Sequence, residues 1–329
     1  MEENNTKDVS LIVPVRNEEK YIESCIKSIL NQDYPLKKVE VIFVDGLSDD
    51  NTKKIICKYI EKYPHLIKLK DNSNKTVPYA MNIGIKSSVG KFIIRLDAHS
   101  KYTDDYISKC ILTIKETGAD NVGGLVITEG QGFIGQAFAK ILSSKFGVGN
   151  SSFRTNAVSG FVDTVPFGTY NREIFEKVGN YDERLTRNQD YELNYRIRKN
   201  GGRIYLNSDI KLTYYCRSTL LDILKQSCEN GKWNIITSKL CPGSMSLRHF
   251  IPLFFMLSLI ILPILNCVNL IFIWILFVEV GLYMLLDLFF SLRATSSLKE
   301  LLILIALFPM FHISYGFGSL IGLKYIVKK

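Results

Sequence analysis

Short apolar runs alternate with amphipathic stretches through the first part of the chain. Residues 9–13, 39–44, 67–69, 92–96 and 122–127 read as strands, and helical spacing intervenes at 18–30, 50–63, 78–87 and 104–116. Strand alternating with helix predicts a mostly parallel α/β sheet with right-handed crossovers and flanking helices. No internal repeat or low-complexity tract interrupts it.

Near residue 248 the pattern changes. Residues 250–278 carry no charge, and the apolar character runs on past Glu279 to residue 290. A helical span needs about 20 apolar residues, so this stretch predicts two helices, with Asn266 and Asn269 in the turn between them. Arg248 at one end and Arg293 and Lys299 at the other would face the same, cytosolic, side. A third apolar segment, 301–323, precedes Lys324, Lys328 and Lys329. It would either cross or follow a re-entrant or interfacial course, because a crossing puts those lysines outside. Glu279, near mid-span, reads as a neutral, hydrogen-bonded carboxyl. The expected organisation is a cytosolic α/β domain over residues 1–247 and a helical membrane module over 248–329.

Charge adds little to that division. The chain has 41 Lys and Arg against 32 Asp and Glu, and only six of the former and three of the latter lie from residue 248 onward. The remaining balance of 35 to 29 is modest for the size of the front domain and is no nucleic-acid footprint. The first ten residues, MEENNTKDVS, are polar and partly acidic, which predicts neither a signal peptide nor a basic arm. Seven Cys are scattered without CxxC pairs and read as reduced structural thiols.

The candidate chemistry sits where apolar runs stop. In an open α/β sheet, ligands bind outside the carboxyl ends of the strands. Asp97 and His99, two residues apart at such an end, could share one divalent cation, and the same residues would also suit an ordinary turn. The first strand is followed by Pro14-Val15-Arg16-Asn17-Glu18-Glu19 and the second by Asp45-Gly46-Leu47-Ser48-Asp49-Asp50. Asp45 is read as a ligand contact, and Asp49 and Asp50 as helix caps. Neither GxGxxG nor GxxxxGKS occurs, so no dinucleotide or P-loop site is expected. Asp190 precedes a helical pattern in which Leu193 and Ile197 share a face, which by itself suits a cap or first-turn acid. Gly123 and Gly124 would admit an acceptor or form a bulge. Gln226, Gly231, Lys232 and Trp233 would close over a ligand, unless the Trp is an interfacial anchor. His65 and His249 carry no case, and His312 is read only as a hydrogen-bonding group near the membrane surface.

PVRNEE, VDGLSDDNT, PYAMNIGIKSSVGKFIIRLDAH and NQDYELNYRIRKNGG, in this order, resemble the inverting family 2 glycosyltransferases of GT-A (Rossmann-like) fold. The likeness is to the succinoglycan-biosynthesis glucosyltransferase branch, with DAH in place of DxD, over about residues 9–233. It implies nucleotide-binding roles for Pro14, Arg16, Glu18, Asp45, Lys75 and Asp97, a cation at Asp97 and His99, and a general base at Asp190, with Glu192 as the fallback. The imidazole favours Mn²⁺ over Mg²⁺. Gly46 departs from the usual VDD, and Gln226 lies seven residues before Trp233, where processive synthases carry a tighter QxxRW.

The resulting expectation is a membrane-anchored enzyme that moves one hexose from a UDP-sugar to a saccharide acceptor, lipid-linked, at the cytosolic face, in cell-surface polysaccharide biosynthesis. The rivals are a processive polysaccharide synthase and a catalytically silent nucleotide-sugar-binding membrane protein. No nucleic-acid partner is expected.

Overall fold

A computed structural model describes residues 7–155 and 158–327. In chain order its elements are β1 (Val9–Val15), α1 (Ile22–Leu30), β2 (Val39–Asp45), α2 (Thr52–Lys62), β3 (Ile67–Asp71), α3 (Val77–Ser87), β4 (Phe92–Arg95), β5 (Ser100–Tyr102), α4 (Tyr106–Thr117) and β6 (Asn121–Glu129). There follow α5 (Gly132–Leu142), α6 (Lys145–Val148), β7 (Gly160–Phe161), β8 (Thr169–Asn171), α7 (Glu173–Val178), α8 (Gln189–Lys199), β9 (Ile204–Tyr215), α9 (Leu220–Leu240), α10 (Ile251–Leu265), α11 (Ile271–Ala294) and α12 (Leu298–Val327). They form two compact units, Met1–Ile127 with Asn156–Tyr214, and Thr128–Thr155 with Tyr215–Lys329.

The first unit is an α/β sheet in the order β3-β2-β1-β4-β8-β6-β9-β5, with β7 on β9. Pairing is parallel from β3 through β2 and β1 to β4, and antiparallel for β4 with β8, β8 with β6, and β5 and β7 with β9. The sheet is therefore mixed, its parallel half being the part that alternation with helices announces. Val9, Leu11, Ile12 and Val13 of β1 and Ile42, Phe43 and Val44 of β2 are fully buried, as strands covered on both faces require. Helix α1 begins at Ile22 rather than at residue 18, because the Glu18 and Glu19 amides donate to Thr52 Oγ1 and Asp50 Oδ2 and are held to the next loop.

Register decides where the chemistry gathers. Val15 pairs with Asp45 and Ile12 with Arg95, so the loops after β1, β2 and β4 leave the sheet at one edge. The chain runs outward from β1 to β2 and β3 and then returns to β4 on the other side of β1. The strand order thus reverses between β1 and β4, the crevice where such sheets bind ligands.

In the second unit three helical stretches are long and apolar enough to cross a membrane: Leu247–Leu265, which ends in α10, then α11, and Leu298–Ile326 of α12. Residues 266–270 form the turn between α10 and α11, and α12 is one continuous helix through Pro309. Lys328 and Lys329 lie outside the described residues. Ser258 Oγ donates to Glu279 at 2.6 Å, which meets the hydrogen-bonding need of that mid-span carboxyl. His312 Nδ1 meets the Tyr283 hydroxyl at 2.9 Å. A second acid in the apolar stretch, Asp287, is fully buried with Ser291 Oγ donating to it at 3.0 Å.

Helix α9, although it precedes residue 248, packs along α12 in this unit. Ser227 Oγ donates to the Phe311 carbonyl at 2.7 Å and Ser314 Oγ to the Leu224 carbonyl at 2.8 Å, while Asn234 bonds the Tyr315 hydroxyl. A Cβ on Gly231 would come within 1.9 Å of the Tyr315 carbonyl oxygen, and one on Gly318 within 1.8 Å of the Cys228 carbonyl oxygen. Small residues let the two backbones touch, as in helix pairs of membrane proteins.

Candidate active site

The loops after β1 and β2 are laced together before any ligand arrives. Asn17, in left-handed backbone at φ 56°, donates its amide to Ser48 Oγ and accepts from the Asp49 amide. Glu19 accepts from the Asn51 amide and side chain, and Asp50 accepts from the Thr52 amide, near the start of α2. Asp45 is 1% exposed, and its carboxylate accepts from the amide and hydroxyl of Ser48. Pro14 is half-buried within β1. Gly46 marks a meeting point: a Cβ there would lie 3.3 Å from the Arg16 side chain and 3.4 Å from Lys75 Cα. The missing side chain lets exposed Arg16 and Lys75, the latter at φ 62°, approach each other from different loops.

At the end of β4 the backbone of Asp97 is pinned twice by Tyr102, whose hydroxyl accepts from its amide at 2.7 Å and donates to its carbonyl at 3.2 Å. The side chain reaches the surface partly exposed. His99 Nδ1 lies 2.9 Å from Glu18 Oε1, across the reversal point between β1 and β4, and His99 Nε2 lies 3.9 Å from Asp97 Oδ2. A carboxylate only accepts, so Glu18 fixes a proton on Nδ1 and turns Nε2 toward Asp97. Tyr214 packs edge-on against the imidazole at 5.2 Å.

Among the described residues no group of three His, Cys, Asp or Glu forms a metal cage. The pair that does converge fits a cation of another kind. Two donors 3.9 Å apart are close enough to share one divalent ion. A carboxylate with an imidazole whose far nitrogen is held by a second carboxylate is also a recurrent metal-binding arrangement.

Beside these groups lies Arg95, on β4 and buried to 6% exposure. Its Nη2 is 3.7 Å from Asp97 Oδ1, and its guanidinium stands over the Phe167 ring at 5.8 Å. Burial opposes the charge, but Asp97, Tyr181 and Asp190 outweigh it and hold the guanidinium ionised more firmly than usual. Asp190 therefore belongs to the same electrostatic group as Asp97. It lies in the first turn of α8, which opens after Asn188 in left-handed backbone at φ 60°, and its Oδ1 accepts from the Tyr191 amide at 3.0 Å. Glu192 is differently employed. It is buried and paired with Arg196, whose Nη2 donates to Glu192 Oε2 at 2.8 Å and whose guanidinium also donates to the carbonyls of Val178, Gly179 and Asn180.

A strand-end cluster of this kind on a reversing sheet admits many ligands, and comparison with known proteins narrows the choice. The family model described as glycosyl transferase family 2 matches residues 10–179. The chain belongs to this family.

Relatives and solved structures agree with the assignment. The enzyme is 32% identical over 248 residues to the succinoglycan biosynthesis protein ExoA of Rhizobium meliloti (strain 1021), covering 74% of each chain. It is 32% identical over 230 residues to the dolichyl N-acetyl-alpha-D-glucosaminyl phosphate 3-beta-D-2,3-diacetamido-2,3-dideoxy-beta-D-glucuronosyltransferase of Methanococcus voltae, covering 68% of this chain and 71% of that one. Its fold is similar to that of the mannosyltransferase PcManGT from Pyrobaculum calidifontis, solved with GDP-Man and Mn²⁺, at a TM-score of 0.59 and 16% identity over 94% of this chain and 87% of that one. It is also similar to S. aureus TarS 1-349, solved with UDP, at a TM-score of 0.53 and 19% identity over 98% and 93%. The enzyme is a glycosyltransferase with the GT-A architecture.

The remaining sequence-predicted residues lie on other elements. Gly123 and Gly124 are buried in β6, where a Cβ on them would strike Val165 and the Ile210 carbonyl oxygen, so neither position has room for a side chain. Gln226, Lys232 and Trp233 lie on α9, in the second unit, with Lys232 paired to Glu229 at 3.3 Å and Gly231 against α12. Sequence reasoning passed over Arg95 and Tyr102. The signal for Arg95 was present, since a cation inside a run read as a buried strand must find compensation. Tyr102 had none, because β5 is only three residues long.

Proposed function

We propose that the enzyme transfers a single hexose from a UDP-sugar, with inversion, to a saccharide acceptor that is lipid-linked, in cell-surface polysaccharide biosynthesis. The observation that carries this reading is the grouping of Asp97, His99 and Glu18 at the β1–β4 reversal with Asp190 in the field of the same Arg95. In this reading Asp190 takes the proton from the acceptor hydroxyl as that oxygen attacks the anomeric carbon from the face opposite the diphosphate. Asp97 and His99 would hold Mn²⁺ or Mg²⁺, which when bound would neutralise charge growing on the departing diphosphate. Pro14, Arg16, Glu18, Asp45 and Lys75 bind the nucleotide, Glu18 also orienting His99. Gly124, Gln226, Lys232 and Trp233 are proposed to contribute to acceptor or diphosphate binding.

The donor class is supported by the UDP in TarS, and the cation by the Mn²⁺ in PcManGT. A lipid-linked acceptor is supported by the dolichyl phosphate in the name of the Methanococcus relative, and a polysaccharide product by succinoglycan in that of ExoA. Residues 1–247 are proposed as the catalytic part, facing the cytosol, and 248–329 as its membrane module.

Calorimetry of UDP binding with and without Mn²⁺, beside a transfer screen of UDP-sugars with full-length protein in lipid, tests the reading. Asp97→Ala should abolish metal-dependent UDP binding, and His99→Ala should weaken it. Unchanged, metal-independent binding by both variants, or no turnover with any UDP-sugar, would overturn it.

A further inference from the structure

Arg95 is the group at this site that the proposed chemistry leaves unused. It is a permanent cation buried beneath the strand-end cluster, and among the described residues its Nε and Nη1 meet no hydrogen-bond acceptor. Such a group is costly to bury, and an ion pair at 3.7 Å with the Tyr181 hydroxyl beside it does not meet the needs of five N–H donors. Its surroundings are built to keep it. The ring of Phe167 lies over the guanidinium although Phe167 itself sits at φ 51°, an uncommon backbone for a bulky residue, and the Arg95 amide donates to the neighbouring Gly168 carbonyl at 3.0 Å. The negative groups that face it belong to the site: Asp97 in contact, and Asp190 within its field. Without Arg95, Asp97 and Asp190 would confront an incoming diphosphate with like charge.

We propose that Arg95 is a positioning residue that stands in for the cation beneath Asp97, holding that carboxylate and offsetting the site's negative charge so that nucleotide binds before, and measurably without, a divalent ion. The proposal rests on the reading of Asp97 as the donor-diphosphate end of the site. It has a signature that a packing role lacks. Removing the charge should weaken metal-free nucleotide binding while strengthening the hold on the metal, because Asp97 then meets the ion without a competing positive neighbour.

The test compares Arg95→Met, which keeps bulk and loses charge, with Arg95→Lys, which keeps charge, in the full-length protein. Calorimetry with UDP in chelator should show at least a tenfold loss for Arg95→Met and recovery to within about threefold for Arg95→Lys. The free Mn²⁺ resonance, titrated without nucleotide, should show Arg95→Met binding Mn²⁺ several-fold more tightly than wild type. Wild-type behaviour of Arg95→Met in both measurements, or equal losses in the Met and Lys variants, would overturn the proposal. If thermal melting shows that Arg95→Met does not fold, Arg95→Gln takes its place in the same two measurements with the same criteria. A wild-type protein that binds Mn²⁺ but no UDP would overturn the donor assignment, while the Mn²⁺ titration still decides the role of Arg95.

Discussion

Asp190 and Glu192 are two acids two residues apart in the same helical turn, and their surroundings predict opposite consequences for the same chemical change. Asp190→Asn removes proton acceptance but keeps an oxygen where Oδ1 accepts from the Tyr191 amide, so the start of α8 should survive. If Asp190 is the base, transfer should fall by about 10²–10⁴-fold. That is about 2.7–5.4 kcal/mol of barrier at about 1.36 kcal/mol per decade. The melting temperature and UDP affinity should hold. Glu192→Gln should do the reverse. Glu192 is buried against Arg196, which also ties down the carbonyls of Val178, Gly179 and Asn180 between α7 and α8. Losing its charge-assisted bonds should cost about 1.5–3 kcal/mol, and for a unit of this size that lowers the melting temperature by about 3–12 °C. Paired measurements of initial transfer rate and thermal melting, on both variants in one lipid or detergent, are sufficient. Near-normal transfer by Asp190→Asn, or a hundredfold loss in Glu192→Gln at unchanged melting temperature, would refute the assignment.

Truncation after residue 247 should keep nucleotide binding by the sheet edge but leave the α12-facing side of α9, including Ser227, Gly231 and Asn234, uncovered; size-exclusion chromatography should show aggregation that detergent relieves. Gly318→Ala drives a methyl into the Cys228 carbonyl and should lower stability by about 1–3 kcal/mol in a thermal melt, with UDP affinity unchanged. Glu40, fully buried, accepts from Ser10, Lys68 and the Val89 amide; burial pushes its carboxyl up, but Lys68, Ser10 and Val89 together outweigh it and hold it below the usual range. Its contribution is therefore present above the unfolded-state pKa near 4.5 and is lost as pH falls through the lower folded value. Glu40→Gln should be less stable than wild type at pH 7 by about 1–3 kcal/mol, and denaturant melts should show the gap closing toward pH 3.

Local signals carried the parallel half of the sheet. β1, β2 and β4 are buried on both faces and mostly apolar, so a nearly continuous run sufficed to find them, and the polar residues that stop each run marked the edge where the loops emerge. The apolar stretch after residue 248 was equally legible, because crossing a bilayer is a requirement on composition and length alone. In the antiparallel half only β6 was read as a run, and β9, whose exposed and half-buried residues are mostly polar, was passed over. β5, β7 and β8 have two or three residues each, too few for any period, and they exist because a neighbouring strand offers hydrogen bonds.

Partnership was beyond the reach of the chain read alone. Asp97, His99, Asp190 and Glu192 could be marked as acids and bases, but which carboxylate is left to act depends on who else arrives: Arg196 on Glu192, Glu18 on His99, Arg95 beneath Asp97. Helix α9 makes the same point in apolar surroundings. Its buried residues include Ser227, Gly231 and Asn234, which hydropathy scores as surface, and they are inside because small side chains and hydrogen bonds let α12 come close. Hydrophobic periodicity is a property of one segment and can be read along it. Charge compensation and close backbone contact are properties of two, and only the folded chain determines which two meet.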